Sequence, residues 1–325
     1  MQQDIVSLKG NYLSNKRMDS SASSSASALT DGIRNALQTG AGFLAGRFGT
    51  IEFDVCWEHH KTGKVSSDAM IVLERNAGVF PSNLVSVFGW VEATRRAIQL
   101  ADVLATGWYA PIVKKEQMLI AAFVEAGQVS LPKQIPLRAL EPYYEADVGK
   151  RWSQLLAGQK VCVVSSFTDT ASSQIAKGAD AIWPGNPGIW TQGQSTQEQS
   201  TQGVEWSWVK TGYSPCMSLG RGSWECDAES WKDAVDYVVS EVDKTGARIV
   251  LIGCGGLGMV IAAALKERGK ICIVMGGAIQ VFFGIKGRRW ENHEFISKLW
   301  NENWTYPSLN ETPGGALLVE RGCYW

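Results

Sequence analysis

The sequence has few histidines, almost no net charge and no long apolar run. Three of its 325 residues are histidine, so we do not expect a reaction that depends on an imidazole. A formal net charge of −1 gives no overall field that would draw the chain to nucleic acid or to an anionic membrane. No stretch approaches the ~18 uninterrupted apolar residues of a membrane span. We therefore expect no nucleic-acid partner and no membrane span.

The cysteine pattern argues against disulfides and against zinc. The seven cysteines are odd in number and form no C-x-x-C pair, which favours a reduced compartment. Neither cysteine nor histidine has the spacing of a zinc site. The first residues are polar and lack the apolar segment of a secretory signal. We therefore expect a cytoplasmic protein.

The first half of the chain is predicted to be mainly helical. Residues 1–30 contain the run SSASSSAS and are predicted to form a flexible leader. Residues 31–150 are predicted to be helix-rich, because apolar residues recur at helical spacing over 83–104 and 114–126. Within this part, residues 137–144 are predicted to be a strand or an extended segment.

The second half, 151–325, has short apolar runs separated by helices. The runs 160–165 (KVCVVS), 248–252 (RIVLI) and 270–275 (KICIVM) have the composition of strands that are buried on both faces. Alternating strands and helices predict an α/β fold with a Rossmann-like, mostly parallel sheet. We expect residues 31–325 to form a single domain with a helical N-terminal part.

One segment of this half differs in composition from the rest. Residues 184–214 are rich in Gly, Gln, Thr and Trp and contain the near-repeat TQGQSTQEQSTQG. We predict a long surface loop or insertion here. The alternative is an ordered hairpin, since residues 204–209 alternate in polarity.

A glycine-rich loop follows the run 248–252. It matches G-x-G-x-x-G and supplies four candidate ligand-binding residues, Gly253, Gly255, Gly256 and Gly258. Such a loop between a strand and a helix brings backbone N–H groups close to a phosphate. A dinucleotide site of the common type also needs an acidic residue about 20 positions later. No acidic residue stands at the end of the next predicted strand, so NAD is disfavoured as the ligand. The alternative is that the glycines only permit the helix to pack closely against the strand.

The segment 276–290 (GGAIQVFFGIKGRRW) combines glycines, an amide and basic residues. Gly276 and Gly277 end a predicted strand at the edge where α/β folds bind ligands, and Gln280 can hydrogen-bond a base or a sugar. The basic residues Lys286, Arg288 and Arg289 suit phosphate binding. The alternative for these three is a solvated, charged turn.

An acidic candidate lies near the start of the chain. Arg47, Gly49, Glu52 and Asp54 surround a predicted glycine turn. In that turn Glu52 can act as a base. Alternatively, Glu52 and Asp54 can hold a divalent cation that carries the diphosphate of a ligand, and Arg47 can bind the same phosphates. The alternative is a structural ion pair between Arg47 and Glu52.

Six motifs together resemble one family from about Leu44 to Trp325. They are AGRFGTIEF, LRALEPYY, KVCVVSSF, IGCGGLG, GGAIQVFFGIKGRRW and VERGCYW, and the chain resembles glycosyltransferases with the GT-D type fold and their bacterial and viral relatives. The resemblance implies a Rossmann-like fold, a nucleotide-sugar donor and a divalent cation, Mn²⁺ or Mg²⁺. The family motif reads R-F-G-D-G-E, and this chain has Thr50 at the position of the aspartate and Ile51 at the second glycine.

These observations predict a glycosyltransferase that uses a UDP- or GDP-type donor and a glycan or glycolipid acceptor. Glu52 and Arg47 are the candidate catalytic residues. Donor binding is assigned to Gly49 and to the glycines, Gln280 and basic residues named above. Two alternatives stay open: a Rossmann enzyme that uses NAD or S-adenosylmethionine, and a nucleotide- or glycan-binding module without catalysis.

Overall fold

The computed structural model describes residues 21–107, 109–186, 188–190, 203–213 and 223–325, with residues 21–26 by backbone alone. At the centre is one seven-stranded sheet in which every pair of neighbouring strands is parallel. In chain order the strands are β1 (Phe43–Gly46), β2 (Val103–Thr106), β3 (Lys133–Pro136), β4 (Lys160–Ser165), β5 (Glu205–Lys210), β6 (Ile249–Gly253) and β7 (Ile271–Val274). Across the sheet the order is β3-β2-β1-β7-β6-β4-β5.

The α-helices lie on the two faces of this sheet. They are α1 (Ser21–Thr39), α2 (Thr50–Thr62), α3 (Ser67–Ala77), α4 (Leu84–Leu100), α5 (Val113–Ala126), α6 (Thr168–Lys177), α7 (Ala179–Ile182), α8 (Trp231–Thr245), α9 (Gly258–Glu267) and α10 (Ala278–Phe282). Local sequence sets their starts: Ser230 and Asp233 form a capping box at α8, and the Asn83 side chain accepts from the Ser86 N–H at α4. None of the described helices is long and apolar enough to cross a membrane.

Alternate residues of each central strand enter two separate cores. Cys162 and Val250 belong to the core beneath α2–α5, α8 and α9, whereas Val161 and Ile249 belong to the core beneath α1 and the segments after β7. A strand that is buried on both faces needs an apolar residue at every position. The predicted α/β class, with a Rossmann-like parallel sheet, is therefore confirmed, and so is the unit of strand, glycine loop, helix and strand over β6, α9 and β7.

The connections leave neighbouring strands β4 and β6 in opposite directions. After β4 the chain passes through α6 on one face to reach β5, and after β6 it passes through α9 on the other face to reach β7. Ser165 and Gly253, the paired last residues of β4 and β6, therefore mark a topological switch point. Ligands of open α/β sheets bind in the crevice at such a point.

The predicted flexible leader, 1–30, is wrong from Ser21 onward. Residues 1–20 lie outside the described residues, but Ser21–Thr39 is one continuous helix. Alanine is the best helix former and serine is tolerated, so an alternating Ser/Ala run does not prevent a helix. Leu29 and Ile33 are fully buried and attach this helix to the sheet.

Two other predicted segments differ from the structure. Residues 137–144 are short 3₁₀ turns, Leu137–Leu140 and Pro142–Tyr144, because the strand ends at Pro136 and the Glu141 N–H bonds back to the Arg138 carbonyl. The predicted loop 184–214 contains β5, an edge strand that pairs in parallel with β4 and is therefore not a hairpin. Residues 191–202 of that loop lie outside the described residues.

Candidate functional site

A cavity of about 590 Å³ lies at the carboxyl edge of the sheet. Its walls come from segments that follow β1, β3, β4, β5, β6 and β7, together with α3 and the last residues of the chain. The predicted candidates on its wall are Arg47, Gly49, Glu52, Gly253, Gly255, Gly276, Gly277, Gln280, Arg288 and Arg289. Residues far apart in the sequence thus meet at the position that the topology favours.

The glycine loop after β6 packs against neighbouring segments and also lines the cavity. Gly253 and Gly255 line the cavity, whereas Gly256 and Gly258 do not. A Cβ at Gly256 would lie 2.8 Å from Val79 Cγ2, and one at Gly258 would lie 3.0 Å from Val274 Cγ1. Gly256 and Gly258 therefore permit close packing of the loop against Val79 and Val274, and donor binding by these two glycines stays a prediction.

The turn after β7 places two glycines beside arginine side chains. Gly276 has a φ of +59°, a conformation that glycine adopts without strain, and a Cβ there would lie 3.9 Å from Arg47 Cζ. A Cβ at Gly277 would lie 3.1 Å from Arg289 Nη1. The backbone of this turn therefore lies close to both guanidinium groups.

The predicted basic cluster divides into two parts. Arg288 and Arg289 line the cavity, and Arg289 pairs with Glu320 at 2.9 Å and lies over the Tyr324 ring at 4.2 Å. Lys286 does not line the cavity, because its ammonium group lies over the Trp300 ring at 5.3 Å. Of the three basic residues predicted to bind the donor, the cavity wall therefore contains Arg288 and Arg289 but not Lys286.

Glu52 and Asp54 do not face the same way. The predicted turn is the first turn of α2, and residues two apart on a helix point to nearly opposite sides. Glu52 lines the cavity and its carboxylate folds back against Gly49, leaving no room for a side chain at position 49. Asp54 is exposed and lies outside the cavity lining. The structure therefore does not bring the two carboxylates together on the cavity wall, and their role as ligands of one cation stays a prediction.

The last residues of the chain form part of the cavity wall. Gln280 Nε2 donates to the Tyr324 carbonyl at 2.9 Å, and Trp325 Nε1 donates to the Glu311 carbonyl at 2.8 Å. Glu311 is fully buried and accepts the N–H groups of Asp169 and Thr170, at 2.8 and 3.1 Å, and the Thr170 hydroxyl. This carboxylate therefore joins the C-terminal segment to the first turn of α6.

A second group on the cavity wall was missed from the sequence. Glu141 is buried and accepts from Arg138 Nη1 at 2.8 Å and from the Tyr143 hydroxyl at 3.1 Å. His293 lies near this pair and also lines the cavity. Tyr143 and Arg138 belong to the quoted motif LRALEPYY, which was the only signal in the sequence. Nothing near His293 distinguishes it from a surface histidine.

The donor set of the cavity does not fit the divalent cation that the resemblance implies. Glu52 is the only member of the predicted carboxylate pair that faces the cavity. Within the described ranges, no three His, Cys, Asp or Glu side chains are grouped closely enough to hold an ion. The reaction proposed for this cavity therefore uses the protein's own side chains and has no step through a metal.

The chain matches no protein-family model, no curated protein and no solved structure. The resemblance to GT-D type glycosyltransferases therefore stays a prediction. What bears on function is the arrangement of side chains in the cavity itself.

Proposed function

We propose that the protein is a glycosyltransferase that moves a sugar from a nucleotide-diphosphate donor, of the UDP or GDP type, to a hydroxyl group of a glycan or glycolipid. One observation carries the proposal. Arg47, Arg288 and Arg289 meet two glycine turns, at Gly253 and Gly276, in one cavity at the carboxyl edge of a parallel sheet. That combination suits a diphosphate, because guanidinium groups bind its oxygens and glycine lets the backbone approach them.

The arginines also suit the chemistry of transfer. The nucleoside diphosphate gains negative charge as it leaves, and fixed positive groups stabilise that charge in the transition state. In the proposed step Glu52 takes the proton of the acceptor hydroxyl. The hydroxyl oxygen then bonds to the anomeric carbon, and the bond from that carbon to the diphosphate breaks. The products are the glycosylated acceptor and the nucleoside diphosphate.

A panel of donors tests the proposal. We expect the melting temperature to rise with UDP or GDP and not with NAD or S-adenosylmethionine, in buffers with and without Mn²⁺. We expect at least one nucleotide sugar to release its nucleoside diphosphate in the presence of the protein, with water or an added glycan as acceptor. Failure of every donor to bind and to turn over rules the proposal out.

Replacement of Arg289 tests the diphosphate contact. We expect Arg289→Gln to weaken UDP or GDP binding roughly tenfold or more, because a charge-assisted hydrogen bond is lost. Binding of the uncharged nucleoside should change little. Calorimetry measures both, and Lys286→Gln is the matched control, since Lys286 lies outside the cavity lining. Equal losses for nucleotide and nucleoside contradict the assignment.

A second candidate is a nucleotide- or glycan-binding module without catalysis. It is favoured by Thr50 at the position of the motif's aspartate and by Asp54, which points away from the cavity. A module of this kind binds nucleotides through the same arginines and releases no product. Substitution of Glu52, described in the Discussion, separates the two candidates.

A further inference from the structure

Three residues that line the cavity each have one buried polar atom with no hydrogen-bond partner among the residues that the structure describes. The atoms are Trp224 Nε1, Gln280 Oε1 and His293 Nε2. Their residues are 6%, 1% and 8% exposed. Buried polar atoms in native proteins nearly always have a partner, so we expect a bound ligand to supply one. His293 is the most informative of the three.

The histidine ring has only one state available at neutral pH. Nδ1 accepts the N–H groups of Phe295 and Ile296, at 3.3 and 3.2 Å. Its lone pair is therefore occupied, and the ring proton must lie on Nε2. Burial, and then the nearby charge of Arg138, lower the pKa of His293, which keeps the ring neutral. Nε2 is thus a fixed hydrogen-bond donor that cannot accept.

The surroundings of this donor are apolar and aromatic. Leu137, Tyr143, Trp290 and Ile296 also line the cavity. The neighbouring charges, Arg138 and Glu141, are paired with each other at 2.8 Å. Walls of this kind fit a planar or weakly polar group, whereas the arginines beside Gly276 fit phosphates.

We infer that His293 selects ligands that present a carbonyl oxygen at this wall and rejects those that present an amino group there. The inference rests on the proposed function, in which the ligand is a sugar nucleotide. Such a donor has two sources of a carbonyl group: a keto base, such as uracil or guanine, or the acetamido group of an amino sugar. Both offer the acceptor that the Nε2–H group requires.

Rejection follows from the fixed position of the proton. An amino group at the same place, as in cytosine, would bring two donors together without an acceptor and leave both unsatisfied. A polar site built for one pattern of donors and acceptors discriminates strongly against the opposite pattern. A histidine that was free to change tautomer would not discriminate in this way.

Calorimetric titrations of the full chain and of His293→Phe test the inference. If the carbonyl group belongs to the base, we expect UDP or GDP to bind the wild type more tightly than CDP. The variant should then bind the keto nucleotide about 5- to 100-fold more weakly and CDP unchanged. If it belongs to the sugar, UDP and CDP should bind alike, and the variant should lose a preference for UDP-N-acetylglucosamine over UDP-glucose. His59→Phe is the control, because His59 lies outside the cavity lining.

Nuclear magnetic resonance gives a readout that does not depend on a variant. Labelling the three histidines with ¹⁵N should show one ring in the neutral Nε2–H form, whose signal moves when UDP or UDP-N-acetylglucosamine is added. If these ligands bind and that signal stays in place, or if His293→Phe binds every ligand as the wild type does, the inference is overturned while the proposed function stands. If no nucleotide binds the wild type, both are overturned.

Discussion

Glu52→Gln is expected to lower the rate of nucleotide-sugar turnover by about 10²–10⁴-fold, the usual effect of removing a general base. Glutamine keeps the size of the side chain and an oxygen that can still lie against Gly49 in the first turn of α2. The nucleotide should therefore bind with nearly unchanged affinity. The measurement is release of nucleoside diphosphate from a donor that the wild type turns over, alongside calorimetry with UDP or GDP.

Asp54→Asn is the matched control for this experiment. Asp54 lies in the same turn of α2 but is exposed and outside the cavity lining, so its replacement should leave the rate unchanged. If Glu52→Gln turns over the donor at the wild-type rate, Glu52 acts only at the start of the helix and another group must take the proton. If Glu52→Gln and the wild type both bind nucleotide and neither releases product, the protein is a binding module.

Glu311→Ala is expected to lower the free energy of unfolding by about 3 kcal/mol or more, because three donors, two of them buried, lose their acceptor at once. These donors are the N–H groups of Asp169 and Thr170 and the Thr170 hydroxyl. The variant also loses the charge that stabilises the N-terminus of α6. Urea unfolding followed by circular dichroism measures the difference.

Glu302→Ala is the control for the stability measurement. Glu302 lies in the same C-terminal part of the chain but is exposed, and surface substitutions usually change stability by less than about 0.5 kcal/mol. A loss of that small size for Glu311→Ala would contradict the assignment of Glu311 as the link between the C-terminal segment and α6. Nucleotide binding should also weaken in Glu311→Ala, since five C-terminal residues line the cavity: Glu320, Arg321, Cys323, Tyr324 and Trp325.

The central strands were predictable because burial on both faces requires an unbroken apolar run. This requirement identifies β4, β6 and β7 directly from the sequence. The same requirement does not identify β2, because this strand begins soon after Leu100, where α4 ends. The apolar residues of β2 continued the helical pattern, and the helix was therefore predicted to extend to residue 104. Nor does the requirement identify β5. This edge strand has mostly half-buried residues and therefore needs no unbroken apolar run.

The candidate site was most predictable where a residue directly follows a strand. Arg47 follows β1, and Gly276 and Gly277 follow β7, so strand position alone brought them to one edge. Asp54 was misplaced because the segment predicted as a turn is a helix, and helical geometry rotates it away from Glu52. His293 and Glu141 lie in irregular segments, and only the tertiary fold determines which wall of the cavity they reach.

The pairing of β1 with β7 has a consequence for how the chain folds. The two strands are far apart in the sequence, yet β1 is enclosed between β2 and β7. During synthesis the edge of β1 stays without its second neighbour until β7 has been made. Parallel pairings with such long sequence separation fold slowly and leave strand edges exposed to aggregation. Soluble yield should therefore improve when synthesis is slowed or chaperones are supplied, even though the finished sheet is well covered.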